Sequence, residues 1–202
     1  MSALLPNTLS REEILSLSDA DFEKLVRECA GPDRNETMFE ACKLLAQADG
    51  ESIVETGCIR GYHGDGQSTL IWTMLAIRQN KYFYSFDLNT KPAKEWLGPI
   101  DHVPDFIEGD SIESVGLWEP VGTVGLLYLD SWDYEADNPL PCQIHQCAEL
   151  GAFYGHLSDR AIVLLDDAAH DGGGKVKLSS EFLKLRGWEL VQNAYQQLWK
   201  NF

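Results

Sequence analysis

Residues 53–69 read IVETGCIRGYHGDGQST, and the apolar stretch LIWTMLAI follows at 70–77. A β-branched run ends in an acid, Glu55, and Gly57 follows two residues on. A glycine-rich loop then leads to Ser68 and Thr69 at the head of the apolar stretch. The pattern predicts a strand, a tight glycine turn and the N-terminus of a helix. In an open α/β sheet a nucleotide-like ligand sits there, beyond the carboxyl end of the first strand. Glycine lets the backbone approach the ligand, and the helix start offers unpaired N–H groups. A carboxylate at Glu55 argues against a bare phosphate and for a ligand with a cationic or hydroxyl-bearing end.

Downstream of this unit, strand and helix patterns alternate. Strands are expected at 52–55, 82–87, 105–108, 124–130 and 161–166, with helices over STLIWTMLAIRQ, AKEWL, SIESVGL, QIHQCAELGAFYGHL and VKLSSEFLKLRG. Short apolar strands of this kind are buried on both faces of a parallel sheet joined by right-handed crossovers. The tail, WELVQNAYQQLWKNF, has two β-rich pieces around Asn193–Ala194 and predicts an antiparallel hairpin. Upstream, Ser10 and Ser18 stand where they would cap helices, and ETMFEACKLLAQA has apolar residues at helical spacing. These first helices are expected to pack on the sheet or cover its cleft.

The chain of 202 residues is of single-domain length, and 44% of its residues are apolar. A formal net charge of −16 repels phosphate backbones and anionic lipid, so no nucleic acid and no membrane are expected as partners. Five cysteines, an odd number without CxxC spacing, argue against a disulfide framework or zinc site. With no signal-peptide pattern at the start, a cytoplasmic location is expected. The glycosylation tripeptide at Asn35–Thr37 is then a chance match.

Several strand ends carry candidate chemistry. Asp87 closes the second strand, placed to accept the two hydroxyls of a ribose. Gly109-Asp110-Ser111 follows the third and suits either an adenine pocket or a helix cap. Asp130 closes the fourth, with Asp133 close behind, and Asp166 and Asp167 close the fifth. Adjacent parallel strands would bring these carboxylates together, and an all-oxygen set suits Mg²⁺, Ca²⁺ or Mn²⁺. His170, in AAHDGGGK, is a candidate general base, and Lys175 is placed to meet an anionic substrate. His145, within a long helix, suits a structural role.

Taken together, these motifs resemble the class I S-adenosylmethionine-dependent methyltransferases, from about Ser52 to the C-terminus. ETG at 55–57 looks like the family's first motif, Asp87 like its ribose-binding acid, and Asp110-Ser111 like its adenine grip. YLDSWDYE and LLDDAAH resemble the metal-binding strand ends of the catechol and macrocin O-methyltransferases.

The resemblance implies a three-layer Rossmann-like α/β fold: a mostly parallel seven-stranded sheet closed by an antiparallel hairpin. One domain would span 1–202, with a helical cap over 1–50 and the core over 51–202. S-adenosylmethionine would lie against Glu55, Gly57, Gly61, Ser68, Thr69, Asp87, Asp110 and Ser111. A divalent cation, Mg²⁺, would be held by Asp130, Asp166 and Asp167, with Asp133 a fourth candidate. The catalytic set would be His170, Asp130 and Lys175, and the acceptor a hydroxyl of a small molecule. A homo-oligomer is compatible with this reading. The loop CIRGYHGDGQ is longer than the family's usual turn, so Gly61, Gly64 and Gly66 all remain candidates to face the cofactor, and Tyr62 and His63 could project into the pocket.

Two rivals remain. A nicotinamide-dependent oxidoreductase would want GxGxxG after the first strand, and no three glycines of the loop fit that spacing. A non-catalytic protein could have kept the cofactor pocket alone.

Overall fold

A computed structural model describes residues 8–60, 67–101 and 103–202. The glycine-loop positions Gly61, Tyr62, His63, Gly64 and Gly66 lie outside the described residues. Three N-terminal helices come first, α1 (Arg11–Ser16), α2 (Asp19–Ala30) and α3 (Asn35–Leu45). Ser10 caps α1 in a reciprocal capping box with Glu13, and Ser18 caps α2. Then follow β1 (Ser52–Thr56), α4 (Ser68–Gln79), β2 (Tyr82–Asp87), α5 (Lys91–Leu97), β3 (Pro104–Glu108), α6 (Ser111–Val115) and β4 (Val124–Leu129). The chain continues through α7 (Leu140–Phe153), β5 (Leu157–Leu165), α8 (Lys177–Leu185), β6 (Glu189–Asn193) and β7 (Gln197–Lys200).

The seven strands lie in the order β3-β2-β1-β4-β5-β7-β6. All pairings are parallel except those of β7, which runs antiparallel to both β5 and β6. The expected α/β sheet with a closing hairpin is therefore present. Several boundaries shift, and two starts move furthest: β5 begins four residues before Ala161, and α7 begins three before Gln143. Pro139 and Pro141 explain the second shift, because proline is tolerated in the first turn of a helix and disfavoured further in.

Strand alternation sorts the core into two layers. Ile53, Phe83, Leu126, Tyr128, Ile162 and Leu164 face the layer that includes α1 to α4. Val54, Tyr84, Phe86, Leu127, Val163 and Leu165 face the layer of α7 and α8. Helix α4 is buried from Ser68 to Ile77, which is why its sequence is apolar all round.

The sheet's order reverses between β1 and β4, and this switch point fixes the site. Register sets Phe86, Thr56, Leu129 and Leu165 level with one another across β2, β1, β4 and β5. One residue further on stand Asp87, Gly57, Asp130 and Asp166, in a row across the carboxyl edge. Gly57 has φ +82°, and a Cβ there would lie 2.5 Å from the carbonyl oxygen of Asp130. Both the left-handed conformation and the close approach require glycine. Gly57→Ala is expected to destabilise the fold by at least about 2 kcal/mol, read as a lowered urea midpoint. An unchanged midpoint would mean that the two strand ends can separate freely.

Candidate active site

Glu55 lies at the centre of the first motif and is fully buried. Its carboxylate accepts from the hydroxyls of Ser68 (2.5 Å), Thr69 (2.8 Å) and Ser85 (2.9 Å). Thr69 in turn accepts from the N–H of Ile59 (2.9 Å). The acid thus ties β1 to the start of α4 and to β2. It shapes the floor of the pocket from below, where the sequence suggested a carboxylate beside the ligand.

Asp87 is half-buried and pinned. One oxygen accepts from the N–H of Cys58 (2.9 Å) and the other from that of Asn89 (2.8 Å). It borders a cavity of about 530 Å³, with Gly57, Leu88, Gly109, Asp110 and Trp132 also on its walls. Asp110 caps α6 by accepting from the N–H groups of Ile112 and Glu113. The Ser111 hydroxyl turns inward to Glu149 (2.5 Å), which also accepts from Ser131 (2.7 Å). His145 lies 3.5 Å from the same carboxylate, whose hydrogen bond raises the imidazole pKa against the effect of burial.

A second cavity, of about 300 Å³, shares Gly57, Arg60 and Asp133 with the first and adds Asp130, Asp167 and His170. The three acids at the ends of β4 and β5 meet behind it. One oxygen from each of Asp130, Asp166 and Asp167 lies within 4.8 Å of the others. Asp133 stands apart: its side chain is 82% exposed and pairs with Arg60 at 3.1 Å.

Two cations reach the acids, Arg34 part-buried and Lys175 fully buried. Arg34, at the head of α3, grips both oxygens of Asp166, the shortest contact being 2.7 Å. Its guanidinium also lies 4.5 Å over the ring of Tyr195. Lys175, with no exposed surface, sits 3.3 Å from Asp130 and 3.1 Å from Asp167. Its ammonium points inward to these acids, so the substrate-facing role expected from the sequence is not what the fold gives it. Burial opposes the charge of Lys175, but Asp130, Asp167 and Asp166 outweigh it and hold its pKa above the ordinary lysine value.

The acids differ among themselves. Burial, then the charge of Asp166, push the Asp130 carboxyl well above the usual carboxylate range, against the pull of Lys175. Asp130 nevertheless keeps 28% of its side-chain exposure, on the cavity side. For Asp167, burial acts upward, but Lys175 and the Tyr195 hydroxyl (2.6 Å) hold it below that range. His170 is stacked on Tyr134 at 4.3 Å, with Nε2 3.5 Å from Asp167.

By ligand type the three acids suit a divalent cation. Their oxygens, however, are already engaged: Asp166 by Arg34, Asp167 by Lys175 and Tyr195, and Asp130 by Lys175 and Tyr128. The positive charge that such a cluster calls for is built into the chain. Among the described residues, each of the three acids already has a cationic partner.

A scan against protein-family models and a search of curated proteins return no match for this sequence. Solved structures do match. The O-methyltransferase NovP has a TM-score of 0.64 at 13% identity, covering 88% of this chain and 87% of its own. CalS11, a TDP-rhamnose 3'-O-methyltransferase of calicheamicin biosynthesis, has 0.59 at 19% identity, with 94% and 91% covered. A methyltransferase from Geobacter sulfurreducens has 0.54 at 16% identity, with 92% and 90% covered. The fold is that of the class I methyltransferases, and these neighbours are named methyltransferases of that fold.

Burial pushes the Glu55 carboxyl from its ordinary 4.5 up to about 7, against the pull of its three hydroxyl donors. The folded protein therefore holds this proton more tightly than the unfolded chain. The stability gained is complete below the ordinary value and is lost as pH rises through about 7. Glu55→Gln, which cannot ionise, is expected to gain stability relative to wild type over that window, by up to about 3 kcal/mol. Parallel stability curves for the two proteins against pH would rule out this titration.

Proposed function

We propose that this chain transfers a methyl group from S-adenosylmethionine to a hydroxyl of a small molecule. One observation supports this above the others. The larger cavity, with a pinned carboxylate at Asp87, joins at Gly57 a smaller one walled by Asp130, Asp167 and His170. A cofactor compartment and an acceptor compartment that adjoin, with Gly57, Arg60 and Asp133 common to both, is what a direct transfer between two bound molecules needs.

When bound, S-adenosylmethionine supplies an activated sulfonium methyl that an oxygen nucleophile displaces in line. The chain's own residues do the rest. Asp87, its oxygens fixed by two backbone N–H groups, would accept the ribose hydroxyls. Leu88 and Trp132 offer apolar walls, and Glu55 keeps the β1 turn and the start of α4 in place from beneath. In the smaller cavity His170 would take the proton of the acceptor hydroxyl at Nδ1, since Nε2 is the nitrogen beside Asp167. Asp167 and the Tyr134 ring orient that imidazole, as a carboxylate orients the histidine of a general-base pair. The Mg²⁺ that the sequence resemblance implies has no step here, because Arg34 and Lys175 occupy the acid cluster.

S-adenosylhomocysteine is expected to bind in isothermal titration, with NADH giving no heat. Asp87→Asn should weaken that binding by roughly 10- to 100-fold, the loss of a charge-assisted hydrogen bond. Equal affinity in the variant would remove Asp87 from the pocket, and binding of NADH alone would sink the methyl-transfer assignment.

With an acceptor found by screening hydroxylated small molecules, His170→Ala should lower kcat by about 10²–10⁴ and leave cofactor affinity unchanged. A wild-type rate in the variant would exclude His170 as the base.

A further inference from the structure

The ammonium of Lys175 has four oxygen neighbours. Besides Asp130 and Asp167, the carbonyls of Ser131 and Trp132 accept from it at 3.3 and 3.2 Å. Two carboxylate and two carbonyl oxygens around one buried positive charge are the donor types that a hard metal cation takes. Around the acids, three formal negative charges face two positive ones: Lys175 is buried, and Arg34 keeps 17% of its side-chain exposure.

The chain is built to deliver this lysine. Asp167 has φ +58°, a left-handed conformation unusual for a side chain other than glycine. Gly172, Gly173 and Gly174 follow at φ +76°, +95° and +60°, and turn the chain back on itself. At Gly174 a Cβ would lie 2.2 Å from the carbonyl oxygen of Asp167, so the return passes where only glycine fits. The N–H of Lys175 then donates to that same carbonyl (2.9 Å), and Gln143 of α7 donates to the carbonyl of Gly174 (2.8 Å). Trp132, which supplies one of the cage carbonyls, is itself held at φ +57°.

We propose that Lys175 is the resident cation of this site: its ammonium takes the place of a divalent ion, and methyl transfer by this chain needs no metal. The proposal rests on the methyl-transfer assignment above. The ammonium is sealed from the cavity and has no surface with which to touch an acceptor oxygen. Lys175 is therefore a positioning residue, acting through Asp130 and Asp167, and deprotonation falls to His170 on the open side.

Manganese binding followed by electron paramagnetic resonance tests this without an acceptor. Chelator-treated wild-type protein is expected to leave Mn²⁺ free at roughly millimolar metal. Lys175→Ala, which empties the cage while keeping the three acids, should bind one Mn²⁺, and Lys175→Ala/Asp166→Asn should bind it more weakly. Tight stoichiometric binding by the wild type, lost in Asp166→Asn, would overturn the proposal. So would a folded Lys175→Ala that binds no metal, since the ammonium would then not be standing where an ion fits. If Lys175→Ala does not fold, the wild-type titration decides. S-adenosylhomocysteine is titrated into the same wild-type samples with and without chelator, and equal affinity is expected. Failure of that ligand to bind at all would sink the methyl-transfer assignment and leave the manganese result to be read independently.

Discussion

The ion cluster at the ends of β4 and β5 is the constraint on which the rest of this molecule turns. Buried charges are costly, and a buried carboxylate that loses its partner destabilises a protein by about 3–5 kcal/mol. Asp166 has no exposed surface and depends on Arg34, which arrives from the helical layer ahead of the sheet. Asp167 and Asp130 depend on Lys175, which arrives from the glycine loop behind it. The same contacts that satisfy the acids therefore fasten the N-terminal helices and the β5–α8 connection to the carboxyl edge of the sheet. That edge carries the two cavities, so the fold's stability and the shape of the site share one set of ion pairs.

The division of labour between the two cavities follows from sheet order. Reversal between β1 and β4 opens the cleft, and register then sets Asp87, Gly57, Asp130 and Asp166 in a single row. Asp87 lies on the β2 side, held by main-chain donors and facing the larger cavity. Asp130 lies on the β4 side, facing the smaller one. Glu55 stands beneath both, sealed and bonded to three hydroxyls, and its effect on a ligand passes through the backbone of the turn above it.

Much of the sheet was legible in the sequence because strand signals are local. The runs YFYSFD and STLIWTMLAIRQ become β2 and α4 with the same boundaries. The meeting of Asp130 with Asp166 was legible too, since adjacent parallel strands align their ends. Arg34 was not: it lies 132 residues from Asp166 in sequence, and nothing in GPDRNET marks its arginine as the partner of a buried acid. Lys175 was noticed and aimed the wrong way, because its direction depends on three left-handed glycines whose path no periodicity encodes. The inward turn of Ser111 was hidden for a related reason. Its partner, Glu149, sits on the buried face of α7, where an acid in an otherwise ordinary helix gives no sign of the hydroxyls it will meet.

A crystal structure of the protein grown with S-adenosylhomocysteine and excess Mn²⁺ is the most direct examination of this arrangement. The expected result places the nucleoside against Asp87 and keeps the Lys175 ammonium between Asp130 and Asp167, near the 3.3 and 3.1 Å seen here. Lys175 displaced, with a manganese ion bonded to oxygens of Asp130, Asp166 and Asp167 at roughly 2.0–2.6 Å, would contradict it.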